Sequence, residues 1–592
     1  MDIVNQTRAA KLILQLLTPG KTTEPVIPYS PQKPDFPSVA SGALLPRATP
    51  ESRGISSKHI NDFLIELASD PTLNMHGITV AKDGAVISEA DFGLWRSDVW
   101  HTTFSLCKSV TSLAVGMLID DGKLSLDDRV VELLSAPPLI RLAKGGLTVR
   151  HLLTMSGGSM FNEAGSVTDV NWLKGFLESL PRFEAGREFE YNSMNTYVLS
   201  CIVREVSGTG LNDFLTERLW KPLGIELHGW EKSPTGIEKG GWGLYLLRED
   251  VVKIGMLVAS GGVWNGQRLI SEEYLAEATR MHMKAPEGFG GYDYGYQIWV
   301  GKSTPSFLFN GMFGQNLLCF TESGVILATN AGNSELFQQS SYFRIAEKYF
   351  GKGFSAAVPL PEDASALRSL RRTEREMYPD RREKRYGVFS RRRAESDLRR
   401  ISGRSWTVTS ENRHSFGLLP LALQAFRNGY SDGISGITFG VTGTRVDIGF
   451  VGANGVQTLR VGTEKAEYSV LEDAGEKYIV GCFGRLGRNE DGVEVLTVEA
   501  AFCETASGRV MKFFFHPGGR MTVKVTETPG TSCMISALGQ LGDMVPMRRL
   551  FAAASDIADP EYIAWKLGSV IDPVLVCEEN LNELQKNATE EN

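Results

Sequence analysis

Two stretches of this 592-residue sequence place a serine three residues ahead of a lysine: Ser30–Lys33 and Ser105–Lys108. On a helix, side chains three apart share a face, with about 5–6 Å between their Cβ atoms. An amine held at that distance can take the hydroxyl proton, provided the amine is neutral. Pro31 biases Ser30 out of helical geometry, so the first pair cannot share a helix face. Ser105-Leu106-Cys107-Lys108 opens the apolar run SLCKSVTSLAVGMLIDDG, which has the character of a core helix. Burial there would lower the pKa of Lys108. The positive end of the helix dipole would act in the same direction and favour negative charge developing on Ser105. The competing picture is a helix-capping serine followed by an exposed lysine. No GxSxG pentapeptide offers an alternative elbow serine. The eight histidines form no HxH or HExxH and the seven cysteines no CxxC, so no metal site and no cofactor is expected.

The elements that must hold this pair are legible from pattern and punctuation. Ser57 to Ala68 has an amphipathic helical period. Gly77 to Ala81 and Val86 to Phe92, joined at Asp83-Gly84, read as a β-hairpin. Phe104 to Asp120 is a long apolar helix stopped at Asp121-Gly122, and Tyr197 to Gly208 is a second helix closed by its glycine. Phe307 to Phe320 and Val325 to Asn330 read as two adjacent strands. Leu12 to Leu17 suggests a short packed helix, and the proline-rich residues that follow suggest an extended arm.

Several ordered segments carry a resemblance: HTTFSLCKSVTSLAVGMLIDDGKLSLDDRVVELL, LTVRHLLTMSGG, FEAGREFEYNSMNTYVLSCIVREVSG, LWKPLGI, GGWGLYLLREDVVKIG and ASGGVWNGQRLIS. Over roughly residues 45–350 the chain resembles the β-lactamase-related serine hydrolases. These include class C β-lactamases, penicillin-binding proteins, D-aminopeptidases, family VIII carboxylesterases and 6-aminohexanoate-dimer hydrolases. The resemblance implies an α+β fold of the β-lactamase/transpeptidase type, an antiparallel sheet flanked by helices plus a helical subdomain. It also implies an acyl-enzyme on Ser105, with Lys108 and Tyr191 as general base and acid. The second motif of the superfamily matches Tyr191-Asn192-Ser193. Tyr191 would relay a proton to the leaving group, its pKa lowered by the lysine, and Ser193 would bond Lys108 or the substrate. The third motif, usually K-T-G or H-x-G, is matched by Phe309-Asn310-Gly311. Asn310 and Gly311 would meet the substrate, with Gly311 letting its backbone approach closely. The amide of Met312 would join that of Ser105 in an oxyanion hole. Phe309 replaces the cation that helps hold a substrate carboxylate, which favours a neutral ester or amide. Trp242 and Trp264 either line the cleft or pack in the core; Gln315 either meets substrate or caps its strand.

The implied activity is a serine hydrolase, most simply a carboxylesterase acting on a small-molecule ester. The alternatives are an amidase or D-amino-acid peptidase, a β-lactamase-like enzyme, an acyltransferase, or a non-catalytic binding or sensor protein on the same fold. A net charge of −8 gives no reason to expect nucleic acid or an anionic membrane as partner. No run nears the ~20 apolar residues of a membrane span. With dispersed cysteines and no evident secretory signal, a cytoplasmic location is expected. The domains expected are an N-terminal helix and arm (1–44), the hydrolase (45–355), an arginine-rich helical linker (356–404), a β-rich barrel or sandwich (405–528) and a helical C-terminal segment (529–592). In the linker, interleaved acidic residues suit a solvated connecting helix better than an anion-binding surface.

Overall fold

The computed structural model describes residues 27, 32–356, 358–377, 388–411, 413, 416–427, 431, 433–530, 568 and 571–580. The helix expected at Leu12–Leu17 and the serine of the Ser30–Lys33 pair lie outside them.

The hairpin reading holds: β1 (Met75–Lys82) and β2 (Ala85–Asp91) pair around Asp83-Gly84, where both residues have positive φ. They open a seven-stranded antiparallel sheet with β6 (Tyr292–Tyr294), β7 (Trp299–Gly301), β8 (Ser306–Gly311), β9 (Gln315–Phe320) and β10 (Val325–Ala331), in the order β2-β1-β10-β9-β8-β7-β6. The expected strand Phe307–Phe320 is therefore two strands, broken at Met312–Gly314, where Phe313 (φ 65°) and Gly314 (φ 94°) turn the chain back. Every residue of β1 is buried because the sheet is covered on both faces. One face packs on α1 (Ser57–Ser69) and α5 (Ser341–Phe350); the other packs on α2 (Cys107–Asp120) and α4 (Arg248–Ala259). Helix α2 is apolar almost all round and is correspondingly buried from Cys107 to Leu118. Helix α3 (Ser193–Ser207) packs against it, started by the Asn192 side chain accepting from the Met194 amide and ended by Gly208 at φ 77°. A small sheet places β3 (His101–Thr102) beside β5 (Leu244–Leu246), with β4 (His228–Trp230) beyond.

The arginine-rich region contributes α6 (Ala364–Glu376) and α7 (Val388–Arg399). Helix α6 docks on α1 and β2, where Arg371 donates to the Ile87 carbonyl and Glu374 accepts from Ser88. Its charges are thus partly used within the fold. The β-rich region is a barrel. Strands β11 (Ser405–Val408), β12 (Gly436–Thr442), β13 (Arg445–Gly452), β14 (Gly455–Gly462), β15 (Glu467–Asp473), β16 (Glu476–Arg488), β17 (Glu494–Phe502), β18 (Gly508–Phe515), β19 (Arg520–Thr528) and β20 (Val574–Glu579) run in the order β14-β13-β12-β11-β20-β19-β18-β17-β16-β15. A parallel contact at Gly462–Phe483 joins β14 to β16 and closes the ring, leaving β15 outside it. The C-terminal segment, expected to be helical, supplies β20. That short alternating strand fills the gap between β11 and β19, as only a strand can when ladder groups need partners.

Candidate active site

Ser105 sits in a single 3-10 turn, Phe104–Leu106, that runs straight into α2. The turn keeps Ser105 and Lys108 on one face, and Lys108 Nζ lies 2.7 Å from Ser105 Oγ. The lysine is 1 % exposed. Its other contact is the Gly241 carbonyl, 2.7 Å from Nζ. Neither neighbour carries charge, so burial dominates and the Lys108 pKa falls from 10.5 to about 8. Near neutral pH a useful fraction of this amine is unprotonated and can accept the serine proton.

Gly241 belongs to the GGWG segment, whose carbonyls face α2: that of Gly240 accepts from Cys107 and Thr111. Gly240 has φ 66°, and a Cβ there would come within 2.8 Å of the Thr196 carbonyl on α3. Glycine is what lets this segment enter between the two helices. The segment carries part of the family resemblance, yet its role as the lysine's acceptor was not read from sequence.

Tyr191 is the third member. Its ring centroid is 5.0 Å from Lys108 Nζ, and its hydroxyl bonds toward Ser105. The sequence reading expected the lysine to lower its pKa. Instead burial pushes that pKa well up, and the bond to Ser105 only partly opposes this. The reason is that the phenol is withdrawn from water behind Trp299 (centroids 5.7 Å), Phe337 (5.5 Å), Phe289 (5.9 Å) and Tyr294 (6.3 Å), and Glu163 further disfavours the phenolate. A phenol held protonated donates a hydrogen bond or a proton and does not start as the base.

The third-motif strand ends against the turn that carries Ser105. A Cβ on Gly311 would collide with the Thr103 carbonyl and lie 3.3 Å from the Leu106 amide. The small residue therefore serves the approach of protein backbone, a cause different from the substrate contact expected for it. It brings the start of the Met312–Gly314 turn against the turn that carries Ser105. Gln315 donates to the carbonyls of Met312 and Ala331 and is fully buried, so it braces this turn from within. Asn310, expected to meet substrate, is buried: its amide donates to Asn316 Oδ1 (2.7 Å) and its carbonyl accepts from Gln338 (3.1 Å). Ser193, the other substrate-binding candidate, is the first residue of α3. Its backbone amide donates to Glu163 at 2.6 Å, and Lys108 has its two contacts elsewhere. Phe309 is wholly buried in the core beside α2, and Trp242 and Trp264 pack on that same core.

Two non-glycine residues with left-handed backbone adjoin Ser105 and Met312. Phe104 (φ 45°) precedes Ser105 and Phe313 (φ 65°) follows Met312. Such conformations cost on the order of 1–3 kcal/mol each and persist only where the surroundings enforce them. Their rings meet edge to face at 5.1 Å, within a cluster that includes Leu336, Phe337 and Ala506. Neither position was picked out in the sequence, since nothing in a Phe-Ser or Met-Phe pair marks a positive φ. Glu163, also unforeseen, lies close enough to bear electrostatically on both Lys108 and Tyr191. Among the described residues no group of three or more His, Cys, Asp or Glu side chains could hold a metal ion. The described cysteines are free and buried, and no described helix is long and apolar enough to cross a membrane.

The chain is similar to several known proteins. The Beta-lactamase family model matches residues 75–332. The 6-aminohexanoate-dimer hydrolase of Paenarthrobacter ureafaciens is 28 % identical over 267 residues, 40 % of this chain and 67 % of that protein. Protein flp of Staphylococcus aureus (strain MW2) is 24 % identical over 167 residues, 25 % of this chain and 32 % of that protein. Among solved structures, a family VIII carboxylesterase superposes with a TM-score of 0.42 at 19 % identity, covering 52 % of this chain and 99 % of that one. Residues 75–332 of this chain thus carry a match to the Beta-lactamase family model, in line with the superfamily that the sequence motifs resemble.

Proposed function

We propose that this protein hydrolyses a small, uncharged ester through an acyl-enzyme on Ser105. The observation that carries this is the buried Lys108 amine, 2.7 Å from Ser105 Oγ with no carboxylate in contact and a pKa of about 8. Lys108 takes the hydroxyl proton as Ser105 attacks the carbonyl carbon. The amides of Ser105 and Met312 hold the oxyanion, an interaction that strengthens as charge develops. Tyr191, kept protonated by burial, donates its proton to the departing alkoxide and regains one through Lys108. Water then attacks the acyl-enzyme, and Ser105 leaves with the returned proton.

The surroundings favour a neutral, apolar substrate. The motif that in relatives supplies a cation for a substrate carboxylate has Phe309 at that place in the sequence, and Glu163 lies near the reacting groups. The aromatic wall of Trp299, Phe289 and Phe337 suits an apolar acyl or alkyl group.

The test is a comparison of wild type with Ser105→Ala over p-nitrophenyl esters, a nitrocefin-type β-lactam, D-amino-acid anilides and a linear amide dimer. A short-chain nitrophenyl ester should turn over fastest, and Ser105→Ala should lose at least ~10³-fold. For the wild type, kcat/KM should climb with pH until about 8, because only the unprotonated Lys108 is competent. A folded protein whose turnover survives Ser105→Ala would remove the proposal; faster turnover of the amide dimer would replace ester by amide.

A further inference from the structure

We propose that the barrel is a working part of the hydrolase site. Its turn between β17 and β18, Cys503–Ser507, fixes the strand that presents Ser105, with Glu504 as the positioning residue. The proposal rests on Ser105 being the nucleophile.

The strand before the nucleophile, β3, is only two residues long. On one edge it pairs with β5 through His101–Leu246 and Thr102–Tyr245. On the other edge its partner is the barrel turn, where the Thr102 amide donates to the Glu504 carbonyl at 2.8 Å. Two residues further on, Phe104 adopts its left-handed conformation, and Ser105 follows. The barrel turn reaches this point too: Ala506, 1 % exposed, packs in one cluster with Phe104 and Phe313. One turn of the barrel thus touches the approach to both amides of the proposed oxyanion hole. A short strand leading into a strained residue holds its shape only if both edges are occupied.

Glu504 is what anchors the turn. Its carboxylate, 1 % exposed, accepts from Lys33 Nζ (2.8 Å), from Trp100 Nε1 (2.6 Å) and from the Ile479 amide (2.9 Å). These donors come from the N-terminal arm, from the residue next to β3 and from barrel strand β16. Lys33 Nζ also lies over the rings of Tyr245 on β5 (5.5 Å) and Tyr478 on β16 (5.2 Å). Trp95 completes the clamp by donating to the Thr505 carbonyl at 3.2 Å. Arm, hydrolase and barrel therefore converge on one carboxylate, and the backbone carbonyl of the same residue holds Thr102, three residues upstream of Ser105.

A displacement of about 1 Å at a reacting group can cost on the order of 100-fold in rate without changing substrate affinity. The experiment uses the full chain and measures the labelling rate of Ser105 by a fluorophosphonate. It adds kcat and KM for p-nitrophenyl butyrate, with the melting temperature of each variant. Glu504→Ala should slow labelling and kcat by about 100-fold while KM stays within about two-fold. Glu504→Gln, which keeps one acceptor oxygen, should recover part of that loss. The control is Arg404→Gln, which breaks the bidentate pair with Glu579 elsewhere on the barrel and should label within about two-fold of wild type. Folded Glu504→Ala that labels at the wild-type rate overturns the proposal, and so does an equal loss in Arg404→Gln. If Glu504→Ala does not fold, Ala506→Val decides: slower labelling supports the role, and the wild-type rate overturns it. A wild type that takes no label would instead overturn the hydrolase assignment beneath it.

Discussion

Lys108 and Lys33 are both withdrawn from water, and they meet opposite kinds of partner. At the start of α2, Lys108 faces a hydroxyl and a carbonyl. At the junction of arm and barrel, Lys33 faces the Glu504 carboxylate, and both side chains are almost wholly covered. A buried ammonium beside a carboxylate acts as a fastener, costly to break from one side. One with only neutral neighbours is pressed toward the neutral amine, which is unfavourable for folding and suited to proton transfer. A shifted pKa alone does not separate these cases. Lys144 also falls to about 8 by burial, but it donates to the Phe176 carbonyl and Ser179 Oγ, away from any candidate nucleophile. What marks Lys108 is the shift together with Ser105 at hydrogen-bond distance.

The largest effect that would break the contrast is on turnover. Lys108→Met keeps the volume of the buried stem and removes the amine beside Ser105. Ester turnover should fall at least ~10³-fold, with KM moving little because the amine binds proton, not substrate. If Lys108→Met retained more than a tenth of wild-type kcat, the amine would be a structural group like Lys33 and the contrast would vanish.

Next in size is the opposite substitution at the junction. Lys33→Met strands the Glu504 carboxylate in the interior with two neutral donors. Breaking a buried pair from one side costs about 3–5 kcal/mol, so a clear drop in denaturation midpoint is expected. An unchanged midpoint would show that Glu504 does not need its cation and would weaken the clamp.

How much of this could be read from sequence follows the range of the interactions. The Ser105–Lys108 pair is local, three residues apart across one turn into α2, so spacing and apolar context sufficed to bring the two side chains together. The same holds for the Asp83-Gly84 hairpin and for helix ends marked by glycine. Tyr191 was reached only through the resemblance, and its pKa was misjudged because the aromatic wall comes from Phe289, Trp299 and Phe337, all distant in the chain. Gly311 was noticed, but its cause, the Thr103 carbonyl, lies two hundred residues away in the fold's logic and not in its own strand. Glu504 was invisible: its partners at 33, 100, 102 and 479 meet only when the barrel is docked. The strand Val574–Glu579 was missed because six residues beside a long helical composition give too short a period to register.

The smallest effect gives the sharpest test of the contrast, since Lys108→Met should make the protein inactive and no less stable. The folded pKa of Lys108, about 8, lies below its ordinary 10.5, so between those values the unfolded chain binds more protons than the folded one. Wild-type stability contributed by this group therefore rises with pH across that window, and below pH 8 the full penalty of a buried ammonium is present. At about 1.4 kcal/mol per pKa unit the penalty is on the order of 3 kcal/mol, from which the lost bonds to Ser105 and Gly241 subtract. Lys108→Met should thus gain about 1–2 kcal/mol over wild type at pH 7, and that advantage should shrink by pH 10. Denaturant titrations of both proteins at the two pH values measure it. A variant less stable than wild type at pH 7, or an advantage that grows toward pH 10, would mean that Lys108 is held as a stabilising cation after all.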